Sequence, residues 1–395
     1  MTPLLTFHDI IPLTLYIHLP WCVRKCPYCD FNSHEIGRNT PREEDYVDAL
    51  IRDLEGELSR IWGRRITSIF IGGGTPSLFS DAAINRLLLE VQARLNYYPG
   101  IEITLEANPG TAEAEKFREF RQAGVNRLSL GVQSFDDAKL EQLGRIHSAE
   151  EARNAIRMAQ DAGFEDINID IMFGLPGQVV EEATRDLQHA VDHGPTHISW
   201  YQLTLEPNTV FYSRPPQLPD DDLVWEMQEQ GQQLLSDNDY RQYEVSAWSK
   251  TGQRCVHNLN YWEFGDYLGI GAGAHSKITN IAEGSILRTA RHRIPDSYMQ
   301  RAGTEAVYAE KRELGNTDIP LEFMMNAMRL TEGVQPQLFL QRTGLPLNCV
   351  QSQLQAAEKN GLLEWSITRL KPTERGNRYL NDLLQLFMDD NNAED

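Results

Sequence analysis

Six short runs rich in β-forming residues alternate with amphipathic helical patterns over the first half of this 395-residue chain. The runs cover residues 14–19, 66–71, 101–106, 127–133, 166–172 and 197–205. Between the first two runs, Tyr46, Leu50 and Leu54 recur every four residues, which is typical of the buried stripe of a helix. Strands that alternate with helices pair in parallel, because each helix returns the chain to the same edge of the sheet. The sequence therefore predicts an α/β fold whose core is a partial parallel (β/α)6 barrel, similar to an incomplete TIM barrel, with a doubly wound sheet as the alternative that the pattern alone leaves open.

Residues able to do chemistry follow these runs at the point where each predicted strand ends. Along the chain they are a cysteine cluster at 22–29, Gly72-Gly73-Gly74-Thr75, Glu106, Gln133, Asp170 and Thr204. In a parallel barrel the carboxyl ends of the strands and the loops after them form the functional face. We therefore expect all six features to meet on one rim of the barrel.

The cysteine cluster has the spacing C-x3-C-x2-C, with Cys22, Cys26 and Cys29 on one short loop. No fourth cysteine follows nearby. Because closed metal centres usually have four protein ligands, three thiolates indicate a centre with one open position. A 4Fe–4S cluster with one iron free to bind an external ligand is the most economical interpretation. The alternative is a zinc loop that His18, His34 or a distant ligand completes.

Composition and charge exclude several classes of protein. The formal charge is −20, and Lys and Arg do not cluster, so a nucleic-acid binder is not expected. No run of about eighteen apolar residues is present, which argues against an integral membrane segment. The amino terminus lacks a basic, then apolar, secretory pattern. Clustered thiols need a reducing compartment to bind metal, so we expect a cytoplasmic protein.

The second half of the chain predicts two further regions, after a core domain at 1–240. Residues 241–293 contain His257-Asn258-Leu259-Asn260-Tyr261 and a run of small residues that ends at His275. Residues 294–395 follow the pattern helix, helix, helix, hairpin, helix, which predicts a helical, winged-helix-like domain. Its third helix offers only Lys359 as a basic residue, so we expect it to dock on the barrel rather than on DNA.

The motifs together resemble the radical S-adenosylmethionine (radical-SAM) superfamily, and within it the branch similar to coproporphyrinogen dehydrogenase. The residues that carry the resemblance are Tyr16-Ile-His18-Leu-Pro-x-Cys22, Gly72-Gly-Gly-Thr-Pro76, Glu106-x-Asn-Pro109, Arg127-Leu-Ser-x-Gly131-Val-Gln133-Ser, Asp170-x-Met-x-Gly174-Leu-Pro176 and Tyr267-Leu-Gly-x-Gly271-x-Gly-Ala-His275. These motifs run from residue 16 to residue 275, and with the helical carboxyl-terminal region the resemblance covers the chain almost from end to end.

This resemblance implies a 4Fe–4S cluster on Cys22, Cys26 and Cys29, with S-adenosylmethionine at the open iron. It also implies the residues that contact S-adenosylmethionine: Tyr16, Tyr28, Gly73, Gly74, Thr75, Glu106, Gln133, Arg145, Asp170 and Thr204. His257 and Tyr261 would belong to a haem-binding segment. An imidazole is a good axial ligand for haem iron, whereas the alternative for His257 is a core histidine that forms hydrogen bonds. The same alternatives apply to His147 and His275.

Two members of the branch differ at a position that can be read here. The anaerobic coproporphyrinogen III oxidase has a further cysteine two residues after the third cluster ligand, whereas this chain has Phe31. Phe31 and the His257–Tyr261 motif resemble the haem-chaperone member. The resemblance therefore implies a carrier that passes haem to acceptor haemoproteins, including membrane-bound ones, as a monomer or a cluster-dependent dimer. The oxidase is the alternative. A methylthiotransferase acting on RNA is a third, which the acidic charge and the missing cysteines of a second cluster disfavour.

Overall fold

The main sheet places the rim that carries the candidate site. A computed structural model describes residues 5–36, 42–111 and 114–388, and in these ranges the sheet has 12 strands. The strands are β1 (Leu13–Leu19), β2 (Arg65–Gly73), β3 (Asn96–Ala107), β4 (Arg127–Gln133), β5 (Asp166–Phe173), β6 (His197–Gln202), β7 (Arg241–Glu244), β8 (Ala247–Ser249), β9 (Asp266–Ile270), β10 (His275–Asn280), β11 (Ser285–Arg291) and β12 (Tyr308–Glu313). Their order is β12-β11-β10-β9-β1-β2-β3-β4-β5-β6-β8-β7.

The centre of this sheet is parallel and its two sides are antiparallel. Strands β9, β1, β2, β3, β4, β5 and β6 pair in parallel, so their carboxyl ends meet at one edge. On one side β10, β11 and β12 continue as an antiparallel meander, and on the other β8 and β7 form a hairpin. The sheet is open within the described residues, with β12 and β7 at its edges. The predicted partial (β/α)6 barrel is therefore confirmed: its six strands lie side by side in parallel, and in the described ranges the sheet does not close into a full barrel.

Helices connect the strands of the sheet and flank it. They are α1 (Glu43–Glu57), α2 (Asp81–Arg94), α3 (Ala114–Ala123), α4 (Asp137–Gln142), α5 (Ala149–Asp161), α6 (Val180–Asp192), α7 (Val210–Ser213), α8 (Asp221–Asp237), α9 (Val256–Trp262) and α10 (Pro295–Arg301). Tyr46, Leu50 and Leu54 of α1 are buried against the sheet, as their spacing predicts. Helix α5 begins with a complete capping box in which Ser148 and Glu151 satisfy each other's backbone amides. None of the helices in the described ranges has the length and apolar content needed to cross a bilayer.

The carboxyl-terminal region has its own apolar core. It contains α11 (Asp318–Ala327), α12 (Gln337–Thr343), α13 (Gln351–Lys359), the hairpin β13 (Leu363–Trp365) and β14 (Leu370–Pro372), then α14 (Glu374–Arg378) and α15 (Leu380–Gln385). Phe323, Phe339 and Leu354 are buried among these elements. This is the predicted order of three helices, a hairpin and a helical end. The predicted domain limits at 240 and 293 remain predictions, and the sheet itself continues to Glu313. The tail 389–395, which the sequence predicts to be disordered, lies outside the described residues.

Candidate functional site

The cysteine loop leaves β1 at the carboxyl edge of the sheet, and each of its three thiols has a hydrogen-bonding partner. Thr75 Oγ1 donates to Cys22 Sγ at 3.6 Å, and Arg145 donates to Cys26 Sγ at 3.7 Å. Cys29 Sγ lies 3.7 Å from the hydroxyl oxygen of Ser33. Hydrogen bonds of this kind stabilise thiolate ligands and tune the potential of an iron–sulphur centre. Burial raises the pKa of the Cys22 and Cys29 thiols, so thiolates here need a positive partner.

Backbone hydrogen bonds join the glycine loop after β2 to the beginning of the cysteine loop. The amide of Gly74 donates to the carbonyl of Leu19 at 2.8 Å, and the amide of Thr75 donates to that of Trp21 at 2.7 Å. A β-carbon on Gly74 would lie 2.5 Å from the Trp21 carbonyl oxygen, so only glycine allows this approach. The close packing of the two loops brings the glycine backbone next to the thiols.

Two carboxylates in the cavity wall form no salt bridge with any described residue, although the charge of Arg127 acts on Asp170 from a longer distance. Glu106 near the end of β3 accepts a hydrogen bond from the Gly73 amide at 3.0 Å. Desolvation, together with the negative charge of Asp170, raises the pKa of Glu106 to about 7, although the Gly73 hydrogen bond opposes the shift. Asp170 on β5 accepts from Asn168 at 2.8 Å and from Ser129 at 3.2 Å, while desolvation raises its pKa as well. Because neither carboxylate forms an ion pair, the cavity favours a cationic ligand.

Arg145 and Gln133 complete the opposite wall. One terminal nitrogen of Arg145 donates to the Gly131 carbonyl at 2.6 Å, while its buried Nε has no partner in the described structure. Gln133 ends β4 with φ at 73°, in the left-handed region that non-glycine residues seldom occupy. Its side-chain oxygen accepts a hydrogen bond from Tyr201 at 2.7 Å. An unpartnered guanidinium nitrogen beside the thiols suits a carboxylate.

Most of the residues predicted from the sequence line this single cavity, whose volume is about 140 Å³. Those brought together are Cys22, Cys26, Cys29, Tyr28, Gly73, Gly74, Thr75, Glu106, Gln133, Arg145 and Asp170. Tyr201 and Ser129 also line it, and sequence reasoning missed both. Tyr201 lies one residue before the end of β6, so the end of the sixth predicted strand was the available signal.

Four predicted residues do not line this cavity. Thr204 lies beyond the end of β6, where it is exposed and its hydroxyl donates to Glu206. Tyr16 and Tyr261 line a larger neighbouring cavity. His257 is buried behind that cavity, and its ring nitrogens contact the Ser68 hydroxyl at 3.0 Å and the Tyr261 hydroxyl at 3.1 Å. Burial lowers the pKa of His257 to about 3, so the ring is neutral.

The side chains of this cavity fit a metal cluster with several irons and a ligand that carries both positive and negative charge. Within the described ranges, no three His, Cys, Asp or Glu side chains lie close enough together to hold a single metal ion. His18, the first candidate to complete a zinc loop, has both ring nitrogens hydrogen-bonded, to Tyr16 and to the Asn32 carbonyl. The thiols instead share one cavity with two unpaired carboxylates and a partly free guanidinium. This donor set matches a thiolate-bound cluster with an amino acid ligand that also carries a cationic sulphonium.

Comparison with known proteins agrees with this geometry. Residues 16–190 match the model of the radical SAM superfamily, and residues 314–379 match the HemN C-terminal domain. The chain is 50% identical over 377 residues to the haem chaperone HemW of Escherichia coli (strain K12), which covers 95% of this chain and 98% of that protein. It belongs to the HemW family of radical SAM proteins. HemW of Haemophilus influenzae is likewise 50% identical over 381 residues, covering 95% of this chain and 98% of that one.

More distant relatives share the same fold. A mitochondrial radical S-adenosyl methionine domain-containing protein of Mus musculus is 39% identical over 332 residues, covering 82% of this chain and 74% of that protein. Coproporphyrinogen III oxidase (HemN) from Escherichia coli superposes with a TM-score of 0.80 at 21% identity, covering 96% of this chain and 90% of that structure. The sheet and the helical carboxyl-terminal region are therefore those of a HemN-like radical SAM fold. Membership of the HemW family implies a 4Fe–4S cluster and S-adenosylmethionine as cofactors.

Proposed function

We propose that this chain is a haem chaperone, which binds haem and passes it to acceptor haemoproteins. The observation that carries the proposal is identity of 50%, over 95% of the chain, to two proteins named haem chaperone HemW. Phe31 supports it, because the oxidase that shares the fold is expected to have cysteine there. The acceptors include membrane-bound haemoproteins, with the chaperone in the cytoplasm, where its thiols stay reduced.

In this proposal the residues that line the small cavity bind the cluster and S-adenosylmethionine. Cys22, Cys26 and Cys29 would hold the cluster, and its open position would be available to the amino acid part of S-adenosylmethionine. Gly73, Gly74 and Thr75 offer backbone groups, Glu106 and Asp170 attract the cationic groups, and Arg145 and Gln133 bind the carboxylate and ribose side, next to Tyr28. When bound, these cofactors supply one-electron radical chemistry. The residues themselves orient the ligand and exclude water.

One experiment separates a haem chaperone from a coproporphyrinogen III oxidase. Protein with a reconstituted cluster is incubated anaerobically with coproporphyrinogen III, S-adenosylmethionine and a reductant, and in parallel it is titrated with ferric haem. We expect a stoichiometric Soret band from bound haem and no protoporphyrinogen. Formation of protoporphyrinogen would favour the oxidase, and the absence of any Soret change would refute the chaperone proposal.

The pKa of Glu106 gives the binding of S-adenosylmethionine a pH dependence. The ionised carboxylate attracts the cationic ligand and the protonated acid does not, so affinity is highest above pH 7 and falls as the pH drops through about 7. Between pH 8 and pH 6 the dissociation constant should rise by roughly tenfold. Isothermal titration of the cluster-loaded protein, with iron content checked at each pH, measures this change.

The matched variant is Glu106→Gln, whose amide cannot ionise. It should bind S-adenosylmethionine more weakly at pH 8, and its affinity should stay nearly constant down to pH 6. Glu226→Gln on the exposed face of α8 is the control and should behave as the wild type. An equal pH response in Glu106→Gln would assign the titration to another group.

A further inference from the structure

A second and larger cavity lies beside the cluster cavity. Its volume is about 590 Å³, within the range of about 300–1,000 Å³ that is usual for sites of sizeable organic ligands. It opens along the carboxyl ends of β1 and β9 and the first turn of the antiparallel meander. Phe31 lines both cavities, and its side chain is 65% exposed. A ligand in the large cavity would therefore share an aromatic wall with the cluster cavity.

We propose that this cavity is the haem site, that His275 is the axial ligand of the haem iron, and that Arg293 binds a haem propionate. The inference deepens the proposed function and rests on it, because it takes haem as the cargo. The proposal also changes the role of the His257–Tyr261 motif, which the sequence connects with iron ligation. Tyr261 forms a wall of the site, and His257 positions Tyr261.

His275 is the histidine of the cavity that is free to bind iron. Its side chain is exposed to the cavity, and neither ring nitrogen has a hydrogen-bond partner among the described residues. His18 also lines the cavity, but both its nitrogens are engaged. Burial lowers the pKa of His275, which keeps the imidazole neutral at pH 7 as iron ligation requires. His257 is ruled out as a first ligand in this arrangement, because it is 1% exposed and bonded at both nitrogens.

Aromatic rings form the walls of the cavity. Tyr16, Tyr261, Tyr267 and Phe31 all line it. Tyr261 and Tyr267 pack edge to face with ring centroids 4.6 Å apart, and Tyr261 is held by its hydroxyl contact with His257. Flat aromatic surfaces pack well on a porphyrin face. Burial raises the pKa of the tyrosines, so they are neutral phenols rather than competing phenolate ligands.

Arg293 supplies positive charge at the exposed side of the cavity. Its side chain is exposed, and it forms no ion pair with any residue that the structure describes. The other arginine of the lining, Arg291, is already paired with Asp53 and Glu57. Glu310 in the lining is paired with Arg312 at 3.2 Å. Arg293 is thus the cation available for a carboxylate, and its planar guanidinium matches the geometry of a propionate.

The test is a titration of the cluster-loaded protein with ferric haem, followed by the Soret band. The wild type should bind haem with the spectrum of histidine ligation. His275→Ala should weaken binding by at least about tenfold and lose that spectrum, and added imidazole should restore it. His292→Ala is the matched control, because His292 lies on the same meander but does not line the cavity. His257→Ala should keep a histidine-type spectrum while its affinity falls.

Arg293 gives a second test that does not depend on iron ligation. Wild type should bind haem more tightly than haem dimethyl ester, whose propionates carry no charge, and Arg293→Gln should bind the two equally. Wild-type haem affinity and spectrum in His275→Ala, or retained discrimination in Arg293→Gln, would overturn this placement while leaving the chaperone function intact. A wild-type protein that binds no haem would instead refute the proposed function.

Discussion

Replacing Cys26 with alanine removes the 4Fe–4S cluster and, with it, the binding of S-adenosylmethionine. The site supplies three thiols, and neither of the other two cysteines lines its cavity, because Cys255 is buried elsewhere and Cys349 lies in the carboxyl-terminal region. Loss of a residue that merely supports a metal ligand costs 10–100-fold in affinity, so loss of a ligand itself should cost at least about as much. Iron and sulphide per chain should fall below about a tenth of the wild-type content after anaerobic reconstitution.

The fold should survive this change. Cys26 is partly exposed on a loop and contributes to neither apolar core, so circular dichroism should match that of the wild type. Cys349→Ala is the control for the loss of any thiol, since Cys349 is exposed and remote in sequence from the loop, and it should reconstitute normally. A cluster of unchanged content in Cys26→Ala would mean that another residue ligates the iron. Stoichiometric zinc in place of iron in the wild type would support the alternative zinc loop.

The parallel centre of the fold can be predicted from the sequence because an apolar residue recurs at every second position of its strands. The runs Leu13-Thr-Leu-Tyr-Ile17 and Asp166-Ile-Asn-Ile-Asp170 show this alternation, and helices with regular apolar spacing separate the strands. The antiparallel strands β10, β11 and β12 show no comparable pattern in the sequence. Lys277 and Arg291 are charged yet buried, because Asp266 on the neighbouring strand pairs with Lys277 and Asp53 on the distant helix α1 pairs with Arg291. Strand β9 was missed for a related reason, since its pairing with β1 joins residues about 250 positions apart.

Some residues of the candidate site could likewise be predicted from the sequence, and others could not. Residues fixed by strand ends and tight loops, such as Glu106 and Gly74, could be predicted because the carboxyl edge of a parallel sheet collects them. Thr204 and Tyr201 lie three positions apart in the sequence, and the apolar pattern alone could not decide which of them is at the end of β6. The free imidazole of His275 could not be distinguished from the bonded one of His257, because hydrogen-bond partners come from residues far away in sequence.

The largest expected effect on stability comes from Arg291, the buried cation that joins β11 to helix α1. Its side chain is 1% exposed, and its guanidinium contacts Glu57 at 2.7 Å and Asp53 at 3.4 Å. Arg291→Met would leave Asp53 without a counter-charge and Glu57 with Arg60 alone, and desolvation already raises the pKa of Asp53. Breaking a buried ion pair from one side costs about 3–5 kcal/mol, so the free energy of unfolding should fall by that amount.

Chemical denaturation followed by circular dichroism measures this loss, and Arg312→Met is the matched control. Arg312 lies on the neighbouring strand β12 and pairs with Glu310 and Glu322, but its side chain is 47% exposed. Exposed pairs contribute about 0–1 kcal/mol, so the control should change the midpoint little. Because the missing charge is the cause, the Arg291→Met deficit should shrink at low pH, where Asp53, whose pKa is raised by burial, becomes protonated. A deficit of the same size at every pH would attribute the loss to packing instead. Arg291 also lines the large cavity. If the Arg291→Met protein folds and binds haem as tightly as the wild type, Arg291 contributes to stability but not to haem binding.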